Sequence, residues 1–300
     1  MMVAPGDVLA GKYRVTRVLR VGGMRVVVAA TYIQLDEPVA LKIMLPDALR
    51  SPAAETRFHW EARAAVMLRS EHVVRVSDFG TLENGAPYIV MEYLEGSDLA
   101  GVLAAHGPMP PDMAVEYIVQ ACDAIAEAHA KGVVHCDLKP ANLFLTRRWD
   151  ATPRVKVLDF GMSKAPALDE QNAGALTNTG EIMGSPPYMS PEQMKSAKDT
   201  DARTDIWALG VILYELLGGR TPFDSDTMGG MMALVRTEPP APLSTIRAGL
   251  PRGLSEVIGR CLEKDRNQRW PSVAHLTTAL APYAPQRAKA LIERIGIVLG

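Results

Sequence analysis

The segment 135–142, His-Cys-Asp-Leu-Lys-Pro-Ala-Asn, places a carboxylate, an ammonium group and a carboxamide at spacings that suit phosphoryl transfer. Asp137 can orient and deprotonate a hydroxyl nucleophile, and Lys139 can neutralise charge on the transferring phosphoryl group. Asn142 can hold a magnesium ion. An isolated His-x-Asp pattern is more often a solvated turn between a helix and a strand, so the assignment depends on companion motifs elsewhere.

Companion motifs occur in the order that this chemistry requires. Residues 155–158, Val-Lys-Val-Leu, predict a short strand, and Asp-Phe-Gly follows at 159–161, where a magnesium-binding turn is expected. Upstream, the apolar residues 39–41 predict a strand that ends in Lys42. A stretch of helical composition then places Glu61 to pair with Lys42. Because these motifs occur together and in order, a catalytic loop is favoured over a solvated turn at residues 135–142.

These ordered motifs resemble those of protein kinases, specifically the bacterial Ser/Thr kinases of eukaryotic type. The resemblance runs from about Tyr13 to Pro282, which is nearly the whole chain. It implies an α+β, two-lobe protein kinase fold with a small antiparallel-sheet lobe that holds one helix and a larger, mainly helical lobe. The length agrees, because a chain of 300 residues that is 48% hydrophobic can bury a large core and is too long for one compact lobe.

Sequence patterns predict where the lobes begin and end. Valine-rich runs broken by turn residues predict the small lobe over residues 13–93, with a helical segment at about 55–69. The pattern then becomes helical, so we expect the large lobe over 94–283. Residues 1–12 form an N-terminal extension, and residues 284–300 form a C-terminal helical tail.

Two further features of the large lobe are structural. The almost wholly apolar stretch 205–217 predicts a buried helix. The resemblance implies that Asp205 caps this helix and braces the catalytic loop. It also implies a buried ion pair between Glu192, in the Ser-Pro-Glu that closes the activation segment, and Arg269.

The resemblance implies an ATP site between the lobes, with Mg²⁺ or Mn²⁺ as the metal ion. Asn142 and Asp159 would hold the metal, and Lys42, paired with Glu61, would hold the α- and β-phosphates. The residues expected to bind the nucleotide are Leu19, Gly22, Gly23, Val27, Ala40, Lys42, Met91, Glu92, Leu94 and Asp159. Val27 and Ala40 would cover the adenine, the backbone of Glu92 and Leu94 would meet its hydrogen-bonding edge, and Met91 would be the gatekeeper. Ordinary strand packing is the alternative for each apolar member taken alone.

Specificity for Ser and Thr, as opposed to Tyr, is indicated by two features. Lys139 follows the proposed base by two residues, and residues 184–188, Gly-Ser-Pro-Pro-Tyr, are similar to the substrate-docking loop of Ser/Thr kinases. In that loop we expect Ser185 to bridge Asp137 and Lys139. A simple turn hydroxyl is the alternative for Ser185, and the two roles are compatible.

The glycine-rich loop departs from the family pattern. Gly-x-Gly-x-x-Gly is replaced by Arg-Val-Gly-Gly-Met-Arg at 20–25, so only the middle glycine remains. Glycine lets backbone N–H groups approach phosphates, and arginine removes room and conformational freedom. We therefore expect weakened ATP binding. The alternative is that Arg20 or Arg25 compensates by charge, since guanidinium groups pair well with phosphates.

A second departure is Cys136, which stands where an arginine usually precedes the catalytic aspartate and receives an activation-loop phosphate. A thiol cannot pair with a phosphate, and we expect a buried, inert side chain instead of a reactive thiol. Thr177 and Thr179, in the polar stretch 174–184, remain the candidate phosphate acceptors.

Composition limits the classes of binding partner and the cellular compartment that we expect. A formal net charge of −2 gives no electrostatic argument for a nucleic acid or anionic-lipid partner. Three widely spaced cysteines suggest neither a disulfide framework nor a zinc site, so a reducing cytoplasm is expected. No apolar run approaches the roughly 20 residues of a membrane-spanning helix, so we expect a soluble chain, and whether it belongs to a longer receptor stays open.

The tail is predicted to be helical from about Ala288 to Gly300, with apolar side chains on one side and an interruption at Gly296. Packing on the large lobe is one interpretation of the apolar side. A regulatory partner or a dimer that docks through this helix is the alternative.

The whole pattern predicts a protein kinase that transfers the γ-phosphoryl group of ATP to Ser or Thr hydroxyls of proteins in intracellular signalling. The competing class is a pseudokinase or weakly ATP-binding scaffold, released from catalysis by its altered glycine loop. Catalysis is favoured because all five expected catalytic residues are present; these are Lys42, Glu61, Asp137, Asn142 and Asp159.

Overall fold

A computed structural model of the chain describes residues 3–160, 185–196 and 199–299. The chain forms two compact units, one of Met1–Met67 with Val74–Glu95 and one of Leu68–Val73 with Gly96–Gly300. The first is an antiparallel sheet with an α-helix, and the second is mainly helical. The predicted α+β, two-lobe class is therefore confirmed.

The first unit is built on a sheet whose strands lie in the order β1-β2-β3-β4-β6-β5. Its strands are β1 (Val8–Leu9), β2 (Tyr13–Val21), β3 (Arg25–Tyr32), β4 (Glu37–Met44), β5 (Val76–Thr81) and β6 (Pro87–Glu92). Strand β4 continues for two residues beyond Lys42, which the sequence pattern had placed at the strand end. Strand β1 pairs with β2, so part of the segment 1–12 belongs to this sheet.

The register of β3 and β4 gives this sheet two different faces. Val28 lies opposite Leu41, and Val27 lies opposite Lys42. Because successive side chains alternate between faces, Val28 and Leu41 join the apolar core while Val27 and Lys42 share the other face. The chemically important lysine is thus kept out of the core by strand alternation alone.

Helix α1 (Pro52–Met67) covers part of the face that carries Lys42. Phe58 and Ala62 pack against Met44 and Ile89 of the sheet. Since residues three and four apart share one side of a helix, Glu61 lies beside these anchors on the side turned to the sheet. The side-chain packing of α1 therefore fixes where the carboxylate of Glu61 is presented.

The second unit holds a small antiparallel sheet and most of the helices. Its strands are β7 (Ser97–Asp98), β8 (Leu143–Arg147) and β9 (Pro153–Val157). Its helices are α2 (Leu99–His106), α3 (Pro111–Ala130), α4 (Pro191–Lys195), α5 (Ala202–Gly218), α6 (Met228–Thr237), α7 (Leu243–Ile246), α8 (Arg252–Cys261), α9 (Val273–Leu280) and α10 (Lys289–Leu299). Nowhere in the ranges that the structure describes is a helix both long and apolar enough to cross a membrane.

Helix α5 is buried along most of its length, as predicted, but the prediction that Asp205 caps it is wrong. The helix begins at Ala202, and Asp201 is the N-cap, with its side chain accepting a hydrogen bond from the backbone N–H of Arg203. Asp205 lies in the first turn and is buried. The apolar pattern starts only at Ile206, so it could not reveal the polar first turn.

Helix α10 packs against α3 and α9 within the second unit. Ile295 is fully buried, whereas Ile297 and Val298 are exposed. Arg294 pairs with the buried carboxylate of Asp123 on α3. The predicted interruption at Gly296 is wrong, because the helix runs through this residue to Leu299. Tertiary packing outweighs the low helix propensity of one glycine.

Candidate functional site

The first group of site residues is an ion pair on the sheet. Lys42 lies on β4 with 1% of its surface exposed, and its Nζ donates to Oε1 of Glu61 on α1. A buried ammonium group needs such a partner, since desolvation without one is costly. The structure therefore brings together the two residues whose pairing the sequence predicted.

A second cation shares the same carboxylate. Nη1 of Arg25 lies 3.0 Å from Oε2 of Glu61. The sequence pattern placed Arg25 in the glycine-rich loop, but it is the first residue of β3. Its contact with Glu61 was missed, although the alternation of β3 puts Arg25 on the face of Val27 and Lys42 and could have indicated it.

The same face of the sheet carries the apolar residues expected to cover adenine. Ala40 lies opposite Met91 in the β4–β6 register, and Val27 lies one strand away. Ala40 is buried, while Val27 and Met91 are partly exposed. An apolar, partly open surface of this kind suits a flat aromatic ring.

The remaining nucleotide candidates lie at two ends of the sheet. Leu19 and Gly23 are exposed, and the backbone N–H of Gly22 donates to the carbonyl oxygen of Arg25 at 2.8 Å, which closes the turn between β2 and β3. At the end of β6, Glu92 exchanges hydrogen bonds with the Arg75 backbone. Leu94 follows and is partly exposed.

In the second unit, Asp137, Lys139 and Ser185 form a closed triangle. Lys139 Nζ lies 2.8 Å from Oδ2 of Asp137 and 2.7 Å from Oγ of Ser185. Ser185 Oγ donates to Oδ1 of Asp137 at 3.0 Å. Both charged side chains remain partly open to solvent, as groups that meet a substrate must be. Ser185 thus makes the bridge that the sequence predicted, whereas Thr177 and Thr179 lie outside the described residues.

The backbone of this loop is fixed from below by Asp205. Its carboxylate accepts hydrogen bonds from the N–H groups of His135 and Cys136, both at 2.9 Å, and from His129 Nε2 at 2.8 Å. Burial raises the pKa of Asp205, but these hydrogen bonds and the charges of the histidines outweigh it, so that the pKa lies below its usual value. The predicted bracing role of Asp205 is confirmed.

Cys136 adopts a left-handed backbone with φ of 64°, which is uncommon outside glycine. Gln193 Nε2 donates to its carbonyl oxygen at 2.7 Å. The residue is partly exposed, so the expectation of a buried Cys136 is wrong.

Asn142 and Asp159 are the residues that fit a divalent cation. Asn142 is buried, and its Nδ2 donates to the carbonyl oxygen of Asp137 at 2.9 Å, which leaves the carboxamide oxygen to act as a ligand. Leu158 N–H donates to the carbonyl oxygen of Asn142 at 2.9 Å and so ties the residue before Asp159 to the same loop. Two oxygen ligands completed by phosphate and water oxygens suit a hard cation.

The predicted ion pair between Glu192 and Arg269 is present and bidentate, with N–O distances of 2.7 and 2.8 Å. Arg269 is almost fully buried. Burial raises the pKa of Glu192, but hydrogen bonds and charge from Arg269 bring it below its ordinary value. This pair holds α4, and with it the segment that begins at Ser185.

Comparison with known proteins agrees with this geometry. Residues 13–280 match the protein kinase domain family. The chain is 38% identical to serine/threonine-protein kinase Pkn1 of Myxococcus xanthus over 91% of its own length and 38% of the relative's. It is 36% identical to serine/threonine-protein kinase PknB of Mycobacterium leprae, covering 91% of this chain and 43% of that protein.

A third relative, serine/threonine-protein kinase pkn3 of Myxococcus xanthus, is 39% identical over 88% of this chain and 48% of its own length. The chain thus spans less than half of each of these relatives. The match covers both units and every site residue described above. The chain therefore belongs to the protein kinase domain family, among the bacterial eukaryotic-like Ser/Thr kinases.

Proposed function

We propose that the chain transfers the γ-phosphoryl group of ATP to Ser or Thr hydroxyls of proteins in intracellular signalling. The observation that carries this proposal is the triangle of Asp137, Lys139 and Ser185, in which Asp137 and Lys139 belong to the loop that Asp205 fixes. A carboxylate and an ammonium group that are both partly exposed and already hydrogen-bonded are poised for a hydroxyl nucleophile.

In this proposal each charged residue has one task. Asp137 orients the acceptor hydroxyl and takes its proton as the new O–P bond forms and the bond from the γ-phosphorus to the β–γ bridging oxygen breaks, which releases ADP. Lys139 stabilises the charge on the transferring group. Lys42, held by Glu61, fixes the α- and β-phosphates.

A divalent cation, Mg²⁺ or Mn²⁺, would be held by Asn142 and Asp159. When bound, it supplies charge neutralisation of the phosphate oxygens. Adenine would lie on Val27 and Ala40, beside Met91. Its hydrogen-bonding edge would meet the backbone of Glu92 and Leu94, and the turn at Gly22 and Gly23 and the side chain of Leu19 would adjoin the nucleotide.

A pseudokinase finds less support than an active enzyme. A chain without catalysis has no chemical need to bury Lys42 against Glu61 or to hold Asn142 on Asp137. Protein substrates with Ser or Thr acceptors are the proposed partners, and a regulatory partner or second copy at α10 is a further proposal that the exposed Ile297 and Val298 support. A cytoplasmic setting is supported by three free cysteines.

The test is incubation of the purified protein with labelled ATP, Mg²⁺ or Mn²⁺ and a generic basic protein. We expect metal-dependent incorporation of label on Ser or Thr, in the chain itself and in the added protein. Asp137→Asn should abolish incorporation and leave the melting temperature close to that of the wild type, because Asn keeps the size of the side chain but cannot take the proton.

Equal incorporation by the wild type and by Asp137→Asn would contradict the proposal. Failure of both proteins to incorporate label, with nucleotide binding retained in calorimetry, would instead support a binding module. Separate assays with each metal ion decide which cation the chain uses.

A further inference from the structure

The carboxylate of Glu61 is shared by two cations, one of which stands where kinases of this family carry a glycine. We infer that Arg25 is a positioning residue that holds Glu61 in its pairing with Lys42. This inference rests on the proposed function and adds to it a residue that contacts neither the reacting hydroxyl nor the proposed base. It concerns contacts inside the first unit only.

The strand register explains how Arg25 reaches Glu61. Arg25 lies opposite Met44 and Val27 lies opposite Lys42, so Arg25 and Lys42 project from the same face on neighbouring strands. Met44 is also one of the residues on which α1 packs. The backbone of Arg25 therefore lies beside Met44, on which α1 packs, and Glu61 lies on the side of α1 that is turned to the sheet.

The two cations occupy different oxygens and do not compete. Lys42 binds Oε1 of Glu61, and Nη1 of Arg25 lies 3.0 Å from Oε2. The terminal torsion of a glutamate is broad, so contacts on both oxygens restrain its rotation more than a contact on one oxygen does. Arg25 adds a contact on Oε2, and its planar guanidinium is suited to the task.

Burial makes this second contact matter. The side chain of Glu61 is 8% exposed and that of Lys42 is 2% exposed, whereas Arg25 is 37% exposed. Arg25 is thus the most exposed member of the cluster. An exposed partner of this kind has a modest effect, since solvent screens it.

The cluster also changes the local charge. Arg25 adds one positive charge beside the pair of Lys42 and Glu61. Positive charge beside Lys42 favours polyanionic phosphates. Arg25 can therefore position Glu61 and add positive charge near the phosphates without leaving Glu61 to contact the nucleotide directly.

The alternative role is direct phosphate contact, in which Arg25 replaces the lost glycine by charge. A double-mutant cycle separates the two roles. The variants are Arg25→Met, which removes the guanidinium but keeps the stem, Glu61→Met, which removes both acceptor oxygens, and the double variant. Arg14→Met, at an exposed position of β2, is the matched control for loss of one arginine on the same sheet.

The measurement is kcat and KM for ATP at saturating protein substrate. We expect Arg25→Met to lower kcat by about three- to tenfold, because a smaller fraction of molecules then holds Glu61 on Lys42. The Arg25→Met effect should disappear in the Glu61→Met background. Arg25→Lys should restore part of kcat, and Arg14→Met should leave both constants unchanged.

Two results would overturn the inference. One is an Arg25→Met effect confined to KM for ATP that persists in the Glu61→Met background, which would show direct phosphate contact. The other is a wild-type kcat in Arg25→Met. A wild-type protein without any kinase activity would refute the proposed function instead. In that case the double-mutant cycle is measured as free energies of unfolding in urea, without nucleotide. Non-additive effects of Arg25→Met and Glu61→Met would support the contact, and additive effects would overturn the inference.

Discussion

Cys136 directly precedes the proposed base and departs from the family pattern, because a thiol stands where an arginine is usual. Kinases with arginine at this position use it to bind a phosphate on the activation segment, which orders that segment. Cys136 has no positive charge, and its backbone is held by Asp205 and Gln193 instead. The backbone contacts thus keep the loop in place without any charge at this side chain.

The first prediction concerns the candidate phosphate acceptors Thr177 and Thr179. The double variant Thr177→Ala, Thr179→Ala should keep most of the wild-type activity toward an added substrate, because a phosphate at either threonine finds no guanidinium at position 136. Steady-state kinetics at matched protein concentration is the measurement. A fall in kcat/KM of more than about tenfold, worth roughly 1.4 kcal/mol, would mean that another cation receives the phosphate.

Cys136→Arg provides the matched control for this experiment. In that background the phosphate would have a cationic partner, so removal of Thr177 and Thr179 should lower activity more than it does with Cys136 present. An identical response in the two backgrounds would show that position 136 does not decide the effect of phosphorylation.

At the scale of elements, the start of α5 carries two aspartates with different tasks. Asp201 caps the helix at its surface, and Asp205 receives three hydrogen bonds in the interior. Asp205→Asn should destabilise the fold by about 2–4 kcal/mol. The –NH₂ group of asparagine replaces one acceptor oxygen, so at least one of the buried N–H groups that donate to Asp205 loses its acceptor. The substitution should also lower kcat, since the loop of Asp137 loses its support.

Urea unfolding and steady-state kinetics on the same preparation check this second prediction. Asp201→Asn is the control, because asparagine is also a good N-cap and should cost well under about 1 kcal/mol. Equal destabilisation by the two substitutions would contradict the distinction between a surface cap and an interior acceptor.

The contribution of Asp205 also has a pH dependence. Its folded-state pKa lies below the ordinary value of 3.8, so the stabilisation is fully present above about pH 4 and is lost as the pH falls through the folded-state pKa. The difference in stability between the wild type and Asp205→Asn should therefore shrink as the pH falls below about 4. A difference that grows as the pH falls through this range would have the wrong sign.

Much of the element structure could be predicted, and the misses have a common cause. Valine-rich runs broken by turn residues predicted the strands of the first unit, and the almost wholly apolar stretch 205–217 predicted the body of α5. The polar first turn of α5 carries no apolar signal, and Gly296 continues a helix only because Ile295 is buried on neighbouring helices. These details depend on contacts between distant residues, which local patterns do not contain.

The same limit applies to the site. Lys42, Glu61, Asp137 and Asn142 were predicted because their spacing is local or their motifs are ordered along the chain. The contact between Arg25 and Glu61 joins residues 36 positions apart, and it required the strand register to be known. From the glycine-loop motif alone, Arg25 was interpreted as the loss of a glycine or as a charge for the phosphates, and not as a partner of Glu61.

At the scale of the molecule, the C-terminal tail is joined to α3 by two ion pairs that each span 171 residues of sequence, one from Arg287 just before α10 and one from Arg294 within it. Arg287 Nε lies 2.5 Å from Oε1 of Glu116, and Arg294 Nε lies 2.8 Å from Oδ1 of Asp123. Both carboxylates are buried on α3. The tail thus neutralises charges in the interior of the second unit.

The third prediction tests this coupling. Arg294→Met should destabilise the protein by about 1–3 kcal/mol, because Asp123 keeps its hydrogen bond from Ser70 but loses a cationic partner. Urea unfolding is the measurement, and Lys289→Met, an exposed position at the start of α10, is the control. Equal effects of the two substitutions would show that the charge of Asp123 is stabilised by other groups.

The alternation of β4 has a consequence for how the sheet can vary in length. One residue inserted or deleted between Glu37 and Lys42 would turn the ammonium group into the apolar core and Leu41 toward Glu61. Strand β2, by contrast, already contains irregularities near Val15 and Val18, where an extra residue is absorbed without inverting the rest of the strand. One-residue insertions and deletions should therefore be tolerated in β2 and should disrupt β4, whatever the type of the inserted residue.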